Sequence, residues 1–318
     1  MRRCLPFGLV AGFALLALFV PTASAGLVET TDAAPLPKPG RTEVGGARWG
    51  RYLAVSGGLI QSGGAGYIAT SDLFLYDLRT ETWSEGPDLP GLRDHAPIVV
   101  LDGALYLVGG YTTTLSTPTA EVWRLDSPVS QWARVADMTT PRGALSAVAV
   151  KGRLLAIGGI DTSGVLRSTE LYDPEADKWI PGPDLAIPRE HLGSAVVGQH
   201  VYAIGGRNPQ NQTSVEMLVV TRRGVGGEWE PAPDLQFSRG GNAASAAGGV
   251  PCAAGGEEAA GTIPSIECLQ DGTWVHVADL RVPRHGLAVI GVGRRLHVIS
   301  GGPQPGAFYS TEHEVLRV

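Results

Sequence analysis

The sequence predicts an all-β protein, a six-bladed β-propeller whose ring is closed by an N-terminal strand completing the last blade. Three recurrences predict it. A Gly-Gly doublet ends an apolar run six times, at Gly57-Gly58, Gly109-Gly110, Gly158-Gly159, Gly205-Gly206, Gly255-Gly256 and Gly301-Gly302, with first glycines 52, 49, 47, 50 and 46 residues apart. A tryptophan keeps step at Trp83, Trp132, Trp179, Trp229 and Trp274, each 26 residues before the next doublet, or 27 for the last. An arginine does the same at Arg41, Arg93, Arg142, Arg189, Arg239 and Arg284, 16 residues before its doublet in five cases and 17 in the sixth. A period held from end to end in this way is the mark of a repeat architecture.

One unit shows what is repeated. From Arg142 to Trp179 the chain reads ALSAVAV, a turn at Lys151-Gly152, RLLAIGG, a polar loop, STELYD, and DKW before PGPDL. The apolar runs are strand-length and the gaps carry turn residues, giving four short antiparallel strands. Such a sheet cannot bury both faces alone, so the units stack side by side and close radially.

In chain order, Arg2 and Arg3 precede an apolar run from Leu9 to Val20, followed by Ala23-Ser24-Ala25. This is the pattern of a cleaved secretory leader over residues 1–25. The run is short for a bilayer core, which takes roughly 20 apolar residues. Residues 26–318 form the propeller, with blades starting near 41, 93, 142, 189, 239 and 284. The last unit stops after its third strand, EHEVLRV, so residues 27–33 are expected to supply the missing outer strand. In the first unit Arg48 and Arg51 interrupt the inner strand, and the fifth unit is poor in large side chains, so these blades are expected to be the least stable; the alternative is that small residues at innermost positions widen the channel there.

The net charge is −6, and two arginines lie in the leader, which takes the mature chain to −8. That excludes the basic footprint of a nucleic-acid binder. Only Cys252 and Cys268 remain after cleavage. They fall in the second and third strands of one unit and face each other across a hairpin. A disulfide there would contribute about 3 kcal/mol, and a pair of buried free thiols is the alternative.

The doublet glycines, among them Gly109, Gly110, Gly158, Gly159, Gly205 and Gly206, read as structural, because glycine permits the kink out of the second strand. The tryptophans read as packing residues that fill the wedge between blades. The arginines recur in every unit and so read as scaffold, bonding a loop carbonyl or the Asp of PDL, seen at Asp88, Asp184 and Asp234.

With an arginine after proline, two strands ending in Gly-Gly, a YD strand at Tyr76-Asp77 and Tyr172-Asp173, and a spaced tryptophan, the mature chain resembles the kelch family. The family includes adaptor domains, carbohydrate-active enzymes and copper oxidases, and the fold does not choose among them. The resemblance to the copper oxidases stops at the scaffold, since Cys252 and Cys268 are placed to pair with each other.

A ligand site must depart from the repeat. After the arginine the units read Asp94-His95, Glu190-His191 and His285, against Gly143-Ala144 and Gly240-Gly241. In adaptor-type kelch domains this loop and the loop after the doublet line the binding pocket. The resemblance therefore implies a face built from Asp94, His95, Glu190, His191 and His285, with Tyr111, Asp161, Arg207, Asn208, Glu257 and Glu258 from the second loop set. The histidines sit in different blades without a metal-ligand spacing such as HExxH, so no metal and no cofactor is expected. No GxSxG nucleophile motif is present.

The sequence reading is thus a secreted or periplasmic recognition module that binds an extracytoplasmic protein or glycan at one mouth of its channel. It is read as a monomer, with no nucleic-acid partner and no membrane insertion after leader cleavage. The alternative is a carbohydrate-active enzyme, resembling exported kelch proteins that isomerise or epimerise acidic sugars.

Overall fold

A computed structural model describes residues 30–63, 66–221, 224, 225 and 227–318, together with Met1. The leader read over residues 1–25 otherwise lies outside the described residues. All regular structure described is strand, in six antiparallel blades and three two-stranded hairpins. From the axis outward, blade 3 runs Ser146–Val150, Arg153–Ile157, Thr169–Asp173 and Lys178–Pro181. The other innermost strands are Gly45–Trp49, Ile98–Leu101, Gly193–Val197, Ala243–Ala247 and Ala288–Val292. Each innermost strand contacts those of the blades on either side, so the six form a closed circle around the channel.

The ring is sealed by both chain ends. Thr30–Asp32 pairs with His313–Arg317 and forms the outer edge of blade 6. The amide of Gly301 donates to the Arg41 carbonyl at 3.0 Å. That repeats, across the seam, the bond from Gly58 to Arg93 at 2.8 Å and from Gly159 to Arg189 at 2.9 Å. The doublets favour glycine here: a Cβ on Gly158, at φ 58°, would meet the Arg189 carbonyl at 2.4 Å.

Apolar side chains bury between blades. One cluster fills each of the six interfaces, such as Tyr106, Leu154 and Trp179 between blades 2 and 3. Each phased tryptophan also reaches back to the previous blade's exit loop. Trp132 donates to the Pro87 carbonyl at 3.2 Å, Trp179 to Ala136 at 2.9 Å and Trp274 to Pro233 at 2.8 Å. Small residues on the innermost strands draw the blades together and do not widen the channel: a Cβ on Gly46 would lie 2.5 Å from the Ala288 Cβ.

The arginines are buried scaffold, with one correction to the sequence reading. Arg142 donates to the carbonyls of Gly158 and Ser168 at 2.9 and 2.8 Å. Its carboxylate partner is Glu170 on the third strand, at 2.9 Å, not the Asp of PDL. Arg93, Arg189, Arg239 and Arg284 pair likewise with Glu121, Glu216, Glu267 and Glu314, and Arg41 with Asp72. The third-strand carboxylate is the better partner because it also accepts loop amides, Thr139 and Thr140 in the case of Glu170.

Candidate functional site

The residue two places after each phased arginine closes the channel to a neck. These positions are Glu43, His95, Ala144, His191, Gly241 and Gly286, and all six have positive φ, from 49° to 66°. Their amides and carbonyls link blade to blade: His95 donates to Glu43 at 3.1 Å, His191 to Ala144 at 2.9 Å, Gly241 to His191 at 2.9 Å and Gly286 to Gly241 at 2.9 Å. A left-handed backbone costs a residue with a Cβ roughly 1–2 kcal/mol. Glycine would serve the scaffold better, yet four of these positions carry a residue with a Cβ, Ala144 and the polar Glu43, His95 and His191. Strain of this kind points to a functional demand on the side chain.

At the neck, Glu43, His95 and His191 are only 10, 5 and 12 % exposed. They separate a channel cavity of about 150 Å³, walled by innermost strands, from a well of about 220 Å³ that opens at the mouth. His95 Nε2 lies 3.1 Å from Glu43 Oε2, and its Nδ1 lies 2.6 Å from the fully buried Asp94. His191 repeats the second contact, with its Nδ1 bonded to Glu190. The two imidazoles meet edge to face with centroids 4.7 Å apart. His285 places Nδ1 3.1 Å from Glu43 Oε1 and Nε2 3.0 Å from the carbonyls of Gln304 and Gly306.

These contacts set the charges. Burial alone would raise the Glu43 carboxyl, but His95 and His285 hold it well below the usual range. Burial would lower His95, yet Glu43 and Asp94 carry it upward. His285 also rises against its burial, through Glu43 and Glu257. Burial and the neighbouring His95 lower His191 despite Glu190, which favours the neutral ring. Burial, with Glu190 and Asp94, pushes the Tyr111 hydroxyl up to about 12.

The wall of the well comes from the strand-like bridges between the loop after the arginine and the loop after the doublet, Asp94 with Tyr111 and Glu190 with Arg207. Arg207 joins Glu190 and Glu257 at 2.7 and 2.8 Å. Tyr67 and Leu115, each 40 % exposed, make an apolar rim.

Of the sequence-derived set, His95, His191, His285, Tyr111, Arg207 and Glu257 line the well, with Asp94 and Glu190 directly behind it. Asp161 does not belong to it: its carboxylate caps its own hairpin, accepting from Ser163 and Gly164. Asn208 and Glu258 are exposed and absent from the lining. The sequence reading missed Glu43, which holds the same place after Arg41 as His95 does after Arg93. It also argued against a metal because the histidines lie in different blades, whereas the ring brings Glu43, His95 and His191 together. Cys252 and Cys268 are opposite in register, buried and bonded to each other.

A family model described as the KLHDC2/KLHL20/DRC7 Kelch-repeats domain matches residues 44–230. Kelch-like protein terF of Aspergillus terreus is 27 % identical over 288 residues, covering 84 % of this chain and 62 % of that protein. Beta-scruin of Limulus polyphemus is 27 % identical over 269 residues, covering 78 % and 29 %. This chain therefore spans less than two thirds of either relative. The solved structure titled "Structure of YjhT" is similar with a TM-score of 0.74 at 16 % identity, over 89 % of this chain and 96 % of that one. At that identity the likeness is one of fold.

Proposed function

The chain belongs to the kelch-repeat β-propeller family, and we propose that it is an exported recognition module that takes the polar tip of a protein or glycan into the well at one mouth of its channel. The observation that carries this reading is the neck, where Glu43, His95 and His191 converge at the floor of the well from ring positions that Ala144, Gly241 and Gly286 leave without a polar group. A well whose floor alternates carboxylates with imidazoles suits a group that both donates and accepts hydrogen bonds, as sugar hydroxyls and peptide ends do. The apolar rim at Tyr67 and Leu115 supplies the aromatic and aliphatic contact such sites use. Export rests on the leader pattern of residues 1–25, and N-terminal sequencing of secreted protein should begin at Gly26.

Thermal unfolding against neutral and acidic sugars and short peptides tests the site. A ligand at a hundredfold above its Kd adds about 2.7 kcal/mol, and the shift should vanish in Arg207→Gln and shrink in Tyr67→Ala. A shift that survives both changes would place binding elsewhere.

A second reading, a carbohydrate-active enzyme working on an acidic sugar, is favoured by one observation: titratable groups at the neck are driven apart, with His95 raised and His191 lowered. Environments that separate neighbouring groups in this way are those of acid–base pairs. Interconversion of sugar isomers, followed by proton NMR and abolished in His191→Gly, would favour it over binding alone.

A further inference from the structure

The neck has the composition and the orientation of a metal site. The ligand atoms of Glu43, His95 and His191 lie within 4.8 Å of one another. Each imidazole is turned by a carboxylate on its Nδ1, Asp94 at 2.6 Å for His95 and Glu190 for His191. That leaves both Nε2 atoms for the centre, where His95 Nε2 already sits 3.1 Å from Glu43 Oε2. A carboxylate behind a ligating histidine fixes its tautomer and raises its basicity, and metal-binding histidines almost always have such a partner. A purely structural ion-pair network would not need two neighbouring rings each turned by a carboxylate on Nδ1.

We propose that the neck binds one divalent first-row transition ion through His95 Nε2, His191 Nε2 and the Glu43 carboxylate, with an open coordination position facing the well. Two imidazoles and one carboxylate are the donor set of Zn²⁺ or non-haem Fe²⁺ sites that keep a position free for water or ligand. Hard ions such as Ca²⁺ call for six to eight oxygens, which the neck does not offer. Metal–ligand distances of about 2.0–2.2 Å require the three side chains to draw inward, a movement within the reach of their torsions. Asp94, Glu190 and His285, which touches the second Glu43 oxygen at 3.1 Å, are positioning residues. The proposal concerns the floor of the well alone, so it stands or falls independently of any partner at the rim.

The backbone supplies a test. Gly241 and Gly286 hold the same ring position at φ 66° and 57°, so His95→Gly and His191→Gly remove a ligand at positions whose backbone accepts glycine. Chelator-stripped full-length protein is titrated with Co²⁺ and Zn²⁺, read by Co²⁺ ligand-field absorption and by metal content after gel filtration. One equivalent should bind to the wild type. Backing-residue changes Asp94→Asn and Glu190→Gln should weaken it about 10–100-fold, and each glycine variant by more than that, with metal-free unfolding midpoints measured alongside so that only folded variants are compared. Absence of a saturable equivalent in the wild type overturns the proposal. So does equal affinity in folded His191→Gly, or binding that disappears instead with His276→Ala at the exposed pair with Asp279.

Discussion

His313 in the last blade sets its Nδ1 3.1 Å from the backbone carbonyl of Ala34, across 279 positions of sequence. The bond lies beside the Thr30–Asp32 strand pairing and the Trp83 indole, which donates to the same carbonyl at 2.8 Å. One carbonyl thus gathers the first blade, the last blade and the N-terminal segment. Deleting residues up to 34 should remove at least two of these bonds, each worth about 1 kcal/mol net, and expose the edge of His313–Arg317. The expected result is a midpoint lowered by several degrees with new self-association, read by calorimetry and size-exclusion chromatography. An unchanged midpoint would mean the ring does not depend on its seam.

The same seam should be acid-sensitive. His297 and His313 are buried, with Nδ1 and Nε2 2.9 Å apart. Burial, with Arg295 nearby, lowers His297 to about 4, and burial with His297 lowers His313 to about 3. Unfolded histidine titrates near 6.5, so below that pH the unfolded chain takes up protons that the folded chain refuses. Stability is then fully present above about pH 6.5 and falls as the pH drops toward 4. The double change His297→Leu and His313→Gln should flatten the midpoint-versus-pH curve over that window.

Arg239 and Glu267 are both fully buried. Arg239→Met leaves Glu267 as an uncompensated buried charge and should cost about 3–5 kcal/mol. Adding Glu267→Gln should recover part of the loss, a coupling that urea unfolding of the two single variants and the double variant resolves.

The Cys252–Cys268 bond closes a loop with a separation of 16. A loop of that size corresponds to about 3 kcal/mol of stabilisation, and blade 5 needs it because its inner strand, Ala243–Ala247, carries few large side chains. Replacing both cysteines with alanine should lower stability by that order and remove the effect of reductant on unfolding.

Gly286 controls Glu43. A Cβ there would lie 2.5 Å from Glu43 Oε1 and from Thr42 Oγ1, and the residue sits at φ 57°. Gly286→Ala should cost about 1–2 kcal/mol in backbone strain and displace the Glu43 carboxylate, weakening neck ligands far more than the fold. Comparing unfolding midpoints with binding titrations separates the two effects.

The fold was legible because its signals repeat: a doublet, a tryptophan and an arginine agree in phase across the units, and each has a job every blade shares. The site was legible where a unit broke the pattern, as at Asp94-His95 and Glu190-His191. Glu43 escaped because the residues after Arg41 were not set beside those after the other phased arginines. Counting two places beyond every phased arginine would have found it. Asp161, Asn208 and Glu258 were misplaced because sequence offset gives a loop's position but not which of its side chains face the well. The pair of His297 and His313 depends on cross-strand register, which spacing alone does not give.

The neck also separates two things that most folds entangle. Each blade delivers one side chain to the centre through a position whose backbone is held by its neighbours and tolerates glycine. The centre therefore works like a dial with six settings, three of them now blank or nearly so at Ala144, Gly241 and Gly286. A change at one of these positions alters the chemistry on the axis without touching the apolar clusters between blades. Divergence in such a protein can run through its middle, with its outside preserved.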